Sequence, residues 1–232
     1  MSFRTYSGYA YSENGWRICN VDATRKIAQD LLFMDASYCR DGAAALALEA
    51  WVRWYDANVP GEIVSTVWAW SRDNDVANSN HLSGTAVDIN AGQYGYGDDR
   101  MHRLYPDRVA AIERGLIEFE DIIFWGSRWT GASKDEMHFQ LNGGTADGDD
   151  ASAWLEDFVS RRCPDGRLIG SVGSAPEEVT PDLDKATFLH AADERVKQIS
   201  DQLFLLWPQL GGRTFKEALS LVFDRVNEQG VL

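Results

Sequence analysis

The sequence has few cysteines, no excess of basic residues and no long apolar run. Cys19, Cys39 and Cys163 are odd in number, widely spaced and free of any C-x-x-C pair. That excludes a disulfide framework and points to reduced, partly buried thiols with no role in metal binding. Lys and Arg total 22 against 36 Asp and Glu, a formal charge of −14. Phosphate binding needs clusters of basic residues, so nucleic acid is excluded as a partner. Adhesion to an anionic polymer by bulk charge is excluded on the same ground. No stretch reaches the roughly 18 apolar residues that a membrane-spanning helix requires, so no membrane association is expected. Met1 to Tyr6 lacks the apolar core of a secretory signal peptide. The expectation is a protein made and kept in a cytoplasm.

What is present is a globular composition: 44% hydrophobic, with nine tryptophans. The 232 residues leave room for one domain of roughly 150–165 residues and a small appendage. We expect the domain over residues 1–165, a Gly- and Pro-containing linker over 166–181, and a helical hairpin over 182–232.

The chain is organised around Ser79 to Asn90, S-N-H-L-S-G-T-A-V-D-I-N. Thr85 to Asn90 alternates, which predicts a short strand with Ala86, Asp88 and Asn90 on one face and Val87 and Ile89 on the other. A carboxylate flanked by apolar residues needs a positive partner when buried. Ser83 and Gly84 supply a turn that returns His81 to Asp88. A loop histidine and a surface aspartate are the plain alternative for this stretch alone.

A second stretch, Lys134 to Leu141, alternates from Met137 onward, so His138 and Gln140 share a face opposite Met137, Phe139 and Leu141. Catalytic zinc sites take three ligands from His, Asp and Glu and leave a position open. His81, Asp88 and His138 supply that set. Asp135 and Glu136 put a carboxylate beside the third ligand, where a general base belongs. Strict alternation would favour Glu136, on the face of His138. The Gly131-Ala132-Ser133 stretch instead suggests a bend that frees Asp135.

S-x-H-x-x-G-x-A-x-D followed by D-x-M-H-F resembles the VanY-like zinc peptidases. These are the D-alanyl-D-alanine carboxypeptidases and L-alanyl-D-glutamate endopeptidases of hedgehog-like fold. Ser12 to Trp16 (S-E-N-G-W), Ser79 to Asp88, Phe124 to Gly126 and Asp135 to His138 look most similar to peptidase domains of actinobacteriophage endolysins. The resemblance covers roughly residues 10 to 160. It implies an α+β fold, with a small antiparallel sheet flanked by helices. It also implies Zn²⁺ held by His81, Asp88 and His138, and an acid three residues before the last histidine, Asp135, as general base. An arginine ahead of the S-x-H motif holds a substrate carboxylate in that family. Arg72 occupies that place, and a guanidinium suits it through two parallel hydrogen bonds. Ser79 is expected to donate to substrate. The implied substrate is a peptidoglycan stem peptide. The implied location is the host bacterial cytoplasm until release to the wall. A zinc-holding binding module without activity and a zinc N-acetylmuramoyl-L-alanine amidase are the rival readings.

Along the chain, residues 1 to 20 read as irregular cover. Helices are expected over Asp22–Met34, Asp41–Asn58, Asp107–Phe119 and Asp150–Arg161, the last capped by Asp149 or Asp150. Glu62–Trp70 and Asp121–Trp125 read as strands. Gln93–Tyr105 reads as a loop, with His102 a solvated histidine within it. Leu189 to Val226 carries two apolar seams at helical spacing. That hairpin is too small to fold alone and is expected to self-associate or dock.

Overall fold

A computed structural model describes residues 2–170 of the chain. Most of the expected linker and all of the expected 182–232 hairpin lie outside the described residues. The described part is α+β, with helices around three small antiparallel sheets.

The centre is helix α1, Ala43–Asn58. Asp41 accepts a hydrogen bond from the Gly42 N–H at its start. Its Ala- and Leu-rich sequence favours helix. It stops before Pro60, because a residue ahead of proline is pushed out of the helical region. Leu48, Trp51, Val52 and Tyr55 are all buried, as their spacing predicts. Strands β1, Thr24–Lys26, and β2, Tyr38–Arg40, form a hairpin before it.

The sheet that matters for function has β3, Ala86–Asp88, and β4, Ile123–Trp125, flanking β5, His138–Leu141. Its register sets Val87 opposite Phe139 and Asp88 opposite His138. Period-two alternation then sorts the side chains. Val87, Ile123, Trp125, Phe139 and Leu141 fall on one face and are buried in the core. Phe139 lies 5.2 Å from the Trp51 ring and 5.6 Å from Tyr55. Asp88, His138 and Gln140 are left on the opposite face. Burying each large aromatic is worth roughly 2–3 kcal/mol, so the α1 contact fixes which way the sheet faces.

Between β3 and β4 lie α2, Arg100–Leu104, and α3, Pro106–Glu118. A two-residue hairpin follows β5: β6, Ala146–Asp147, paired with β7, Asp150–Ala151. Helix α4, Ala153–Arg162, closes the described part.

Several local expectations are corrected. Asp22–Met34 is not a helix: it gives a short 3-10 turn, β1 and irregular chain. Ile27 and Met34 are buried as their spacing suggests, but Ala28 and Phe33 adopt φ of 48° and 67°. The backbone is claimed by pairing with β2, and the Ala28 N–H by the Glu49 carboxylate. Glu62–Trp70 is not a strand beyond one bridge, Trp68 to Asp88. Its N–H groups go to different partners: Val64 to the Asn90 side chain, Val67 to Phe33, Trp70 to Tyr38. No single neighbour offers a continuous ladder. The Gln93–Tyr105 loop contains α2. Helix α4 is capped by Ser152, whose hydroxyl accepts from Leu155 N–H, because Asp150 is taken up in β7. The three cysteines are buried free thiols.

Candidate active site

The turn before β3 is short because its sequence allows it. Asn80–Ser83 forms one 3-10 turn, with the Ser79 hydroxyl accepting from His81 N–H. Gly84 then takes φ 70°, with Arg40 N only 2.8 Å from where a Cβ would stand. Only glycine fits that reversal. It brings His81 over Asp88, and β3–β5 pairing brings His138 beside both.

The three donors converge. His81 Nε2 lies 3.1 Å from Asp88 Oδ1 and 3.2 Å from His138 Nδ1, and the third edge is 3.0 Å. Tetrahedral zinc with ligand bonds of about 2.0–2.1 Å spaces its donors about 3.3–3.4 Å apart. His81 Nδ1 faces the Ala69 carbonyl oxygen at 2.6 Å. A carbonyl only accepts, so Nδ1 carries the proton and the Nε2 lone pair faces the cluster. Two imidazoles and a carboxylate at this spacing form a group that could hold a metal ion. The donor set and its spacing fit zinc.

Within the cluster the histidines and the carboxylate stabilise one another's charge. Burial alone would raise the pKa of Asp88, but His81 and His138 outweigh it and hold the carboxyl well below the usual range. Burial also opposes charge on His81, yet Asp88 leaves its pKa above the ordinary value.

Asp135 stands in the bend before β5, its N–H bonded to the Gly126 carbonyl. It is 5% exposed, and its Oδ1 is buried without a hydrogen-bond partner among the described residues. Desolvation pushes its pKa up to about 6, within range of proton exchange near neutral pH. Gly126 makes the bend possible. A Cβ there would sit 2.8 Å from the Asp135 carbonyl oxygen and 3.1 Å from His138 Cβ.

Glu136 points the other way. It is fully buried and accepts from the backbone N–H groups of Met101 and His102 and from the His102 ring. It anchors α2 rather than facing the cluster. His102 is therefore held, stacked on Trp125 at 5.2 Å, and not a free loop residue.

His81, Asp88, Asp135, His138 and Ser79 all line one cavity of about 980 Å³, together with Trp68, Tyr96 and Trp129. Arg72 does not line it. It is exposed beside Asp73, which does, and makes no ion pair with Asp73 or Asp75. Among the described residues, no Lys or Arg lines the cavity.

Sequence reasoning missed the support beneath these groups. Residues 1–20 are more than cover. Ser12 bonds Ser83, and the Asn14 amide donates to Thr85 and to the Leu141 carbonyl. Glu13 accepts from Asn80 and Gln140, and Trp16 donates to Thr145. The S-E-N-G-W stretch thus clamps the ends of β3 and β5. Its signal in the sequence was the S-E-N-G-W resemblance, which carried no hint of what these side chains hold.

Residues 72–141 match the family model described as D-alanyl-D-alanine carboxypeptidase, under a third of the 232-residue chain. No curated protein and no solved structure matches the chain. The matched segment runs from Arg72 through β3 to the end of β5 and so contains every candidate ligand and Asp135. The match supports a peptidase similar to the D-alanyl-D-alanine carboxypeptidases.

Proposed function

We propose that the protein is a zinc peptidase that hydrolyses peptide bonds in peptidoglycan stem peptides, as an endolysin does. The observation that carries this is Asp135: a buried, protonatable carboxylate with an unpartnered oxygen, in the same cavity as the His81–Asp88–His138 cluster. A binding module has no use for such a group, since an orphaned buried acceptor costs stability.

Zinc held by His81, Asp88 and His138 would supply Lewis acidity, polarising a carbonyl and acidifying water. The chain's own residues do the rest. Asp135 Oδ1 takes a proton from the attacking water and returns it to the departing amine. Ser79 and the aromatic walls from Trp68, Tyr96 and Trp129 orient the peptide. Arg72, next in sequence to the lining Asp73, turns toward a substrate carboxylate. Glu13, Asp73 and Asp75 give the remaining wall acidic character, which favours a peptide presenting an amine to it.

Digestion of purified cell wall tests the reading. Mass spectrometry of the released fragments should show new amino termini on stem amino acids. Free lactyl groups would identify an amidase, and absence of release a binding module. His81→Ala, Asp88→Ala and His138→Ala should each abolish zinc retention and fragment release. Full zinc occupancy in any one variant removes that residue from the ligand set.

A further inference from the structure

A row of buried amides runs away from the His81–Asp88–His138 cluster and fixes a proton on one nitrogen of His138. Its first member is set by the backbone. Asn14 N–H donates to Asn80 Oδ1 at 3.0 Å, so the other end of the Asn80 amide is Nδ2, a donor. Asn80 Nδ2 lies 2.6 Å from Gln140 Oε1. A donor there requires the acceptor end of the Gln140 amide, which leaves Gln140 Nε2 to donate to Glu13 at 3.0 Å. Gln140 Oε1 also lies 3.0 Å from His138 Nε2. An amide oxygen only accepts, so His138 Nε2 must carry a proton. Its Nδ1, 3.0 Å from Asp88 Oδ1, is then the nitrogen left to face the cluster, donating to that carboxylate without metal and offering its lone pair when a metal takes the proton's place. Asn80 and Gln140 are each 3% exposed, so water does not relax the constraint.

We propose that Gln140 is a positioning residue, held in one amide orientation by Asn80, that presents His138 Nδ1 to the metal. The inference rests on the ligand assignment above. It differs from that assignment in predicting an Nε2 proton on His138, hydrogen-bonded to Gln140, with or without metal. Groups that orient a ligand histidine through its second nitrogen typically carry about 10–100-fold in metal affinity.

Asn80→Asp separates this role from simple electrostatics. One oxygen of the new carboxylate still accepts from Asn14 N–H. The other meets Gln140 Oε1 and repels it, which turns the Gln140 amide around, and Glu13, exposed, is free to swing into solvent. Gln140 Nε2 then faces His138 Nε2, which must become an acceptor, with the proton moved to Nδ1 and into the ligand position. Added negative charge near the cluster would by itself tighten cation binding. The amide row requires the opposite sign.

The measurements are Zn²⁺ affinity of the full chain by chelator competition and the presence of the His138 Nε2 proton in the metal-free protein from long-range ¹⁵N–¹H spectra. We expect Nε2–H in the unaltered protein, Nδ1–H in Asn80→Asp, and Zn²⁺ affinity about tenfold or more weaker in that variant. Unchanged or tighter Zn²⁺ binding by Asn80→Asp, or His138 remaining Nε2–H in it, overturns the proposal. Should Asn80→Asp not fold, Gln140→Leu decides. Loss of the acceptor should weaken Zn²⁺ binding by about tenfold and speed exchange of the His138 ring proton; no change in either overturns it. If the unaltered protein binds no Zn²⁺, the functional reading fails, while the spectra still decide the amide row.

Discussion

At the scale of residues, two adjacent carboxylates have been given different work by where their backbone bends. Asp135 keeps an orphaned oxygen in the cavity, and Glu136 spends both of its oxygens on α2 and His102. Asp135→Asn should therefore lower turnover by about 100-fold or more with zinc retained, the scale of a lost general base. Glu136→Gln should instead lower thermal stability, by about 1–3 kcal/mol for weakened buried acceptors, and reduce turnover less. Steady-state kinetics with metal analysis and melting curves separate the two. Loss of turnover in Glu136→Gln at full stability would reverse the roles. Asp135 also predicts a pH effect on folding. Its carboxyl rises from 3.8 to about 6 on burial, so the folded state holds the proton more tightly than the unfolded one. This contribution is fully present below pH 4 and is lost as pH rises through about 6. Two pKa units correspond to about 3 kcal/mol. In the metal-free protein, Asp135→Asn should gain on the unaltered chain between pH 4 and 6 by up to that amount, with a constant gap above. Urea titrations across that range measure it, and a flat difference would mean the carboxyl is not shifted.

At the scale of elements, the site is the outward face of a three-stranded sheet whose inward face is locked to α1. The alternation of β5 decides both faces at once: Phe139 and Leu141 inward, His138 and Gln140 outward. The bend before β5 depends on Gly126, which lets the Asp135 carbonyl and His138 approach closely. Gly126→Ala should displace that bend. We expect activity to drop by roughly tenfold or more, since small misplacements of catalytic groups cost heavily. Circular dichroism should stay native, because the core face is untouched. Unchanged activity would show that the bend tolerates the shift. The alternation was legible in the sequence, and so were α1, α3 and β4. The Asp22–Met34 and Glu62–Trp70 segments were not. Their apolar spacing records only which side chains are buried. Their backbone partners, Glu49, Phe33, Tyr38 and Asn90, come from elsewhere in the chain.

At the scale of the molecule, the described residues carry a core of their own, from Trp16 to Leu168. Ending the chain after Gly170 keeps α4, buried Cys163 and Leu168 in place. We expect that truncation to fold cooperatively and to cleave soluble stem peptides as the full chain does, with lower activity on whole wall. A single unfolding transition and peptide assays check this; failure to fold would assign the 171–232 stretch to the catalytic core. Sequence alone determined the candidate ligand types, their order and the alternation that puts Asp88 and His138 on one strand face each, because those depend on spacing within a few residues. It also determined the α+β class and the central helix, through local periodicity. Which of Asp135 and Glu136 faces the cavity was decided only by the tertiary structure, since it depends on a bend fixed by Gly126 and on an α2 backbone that claims Glu136. The clamp from Ser12 to Trp16 and the Asn14–Asn80–Gln140–His138 row were decided there too. Apart from the His138–Gln140 contact within β5, those hydrogen bonds join segments more than 50 residues apart, and no local pattern encodes which distant partner a buried polar group will meet.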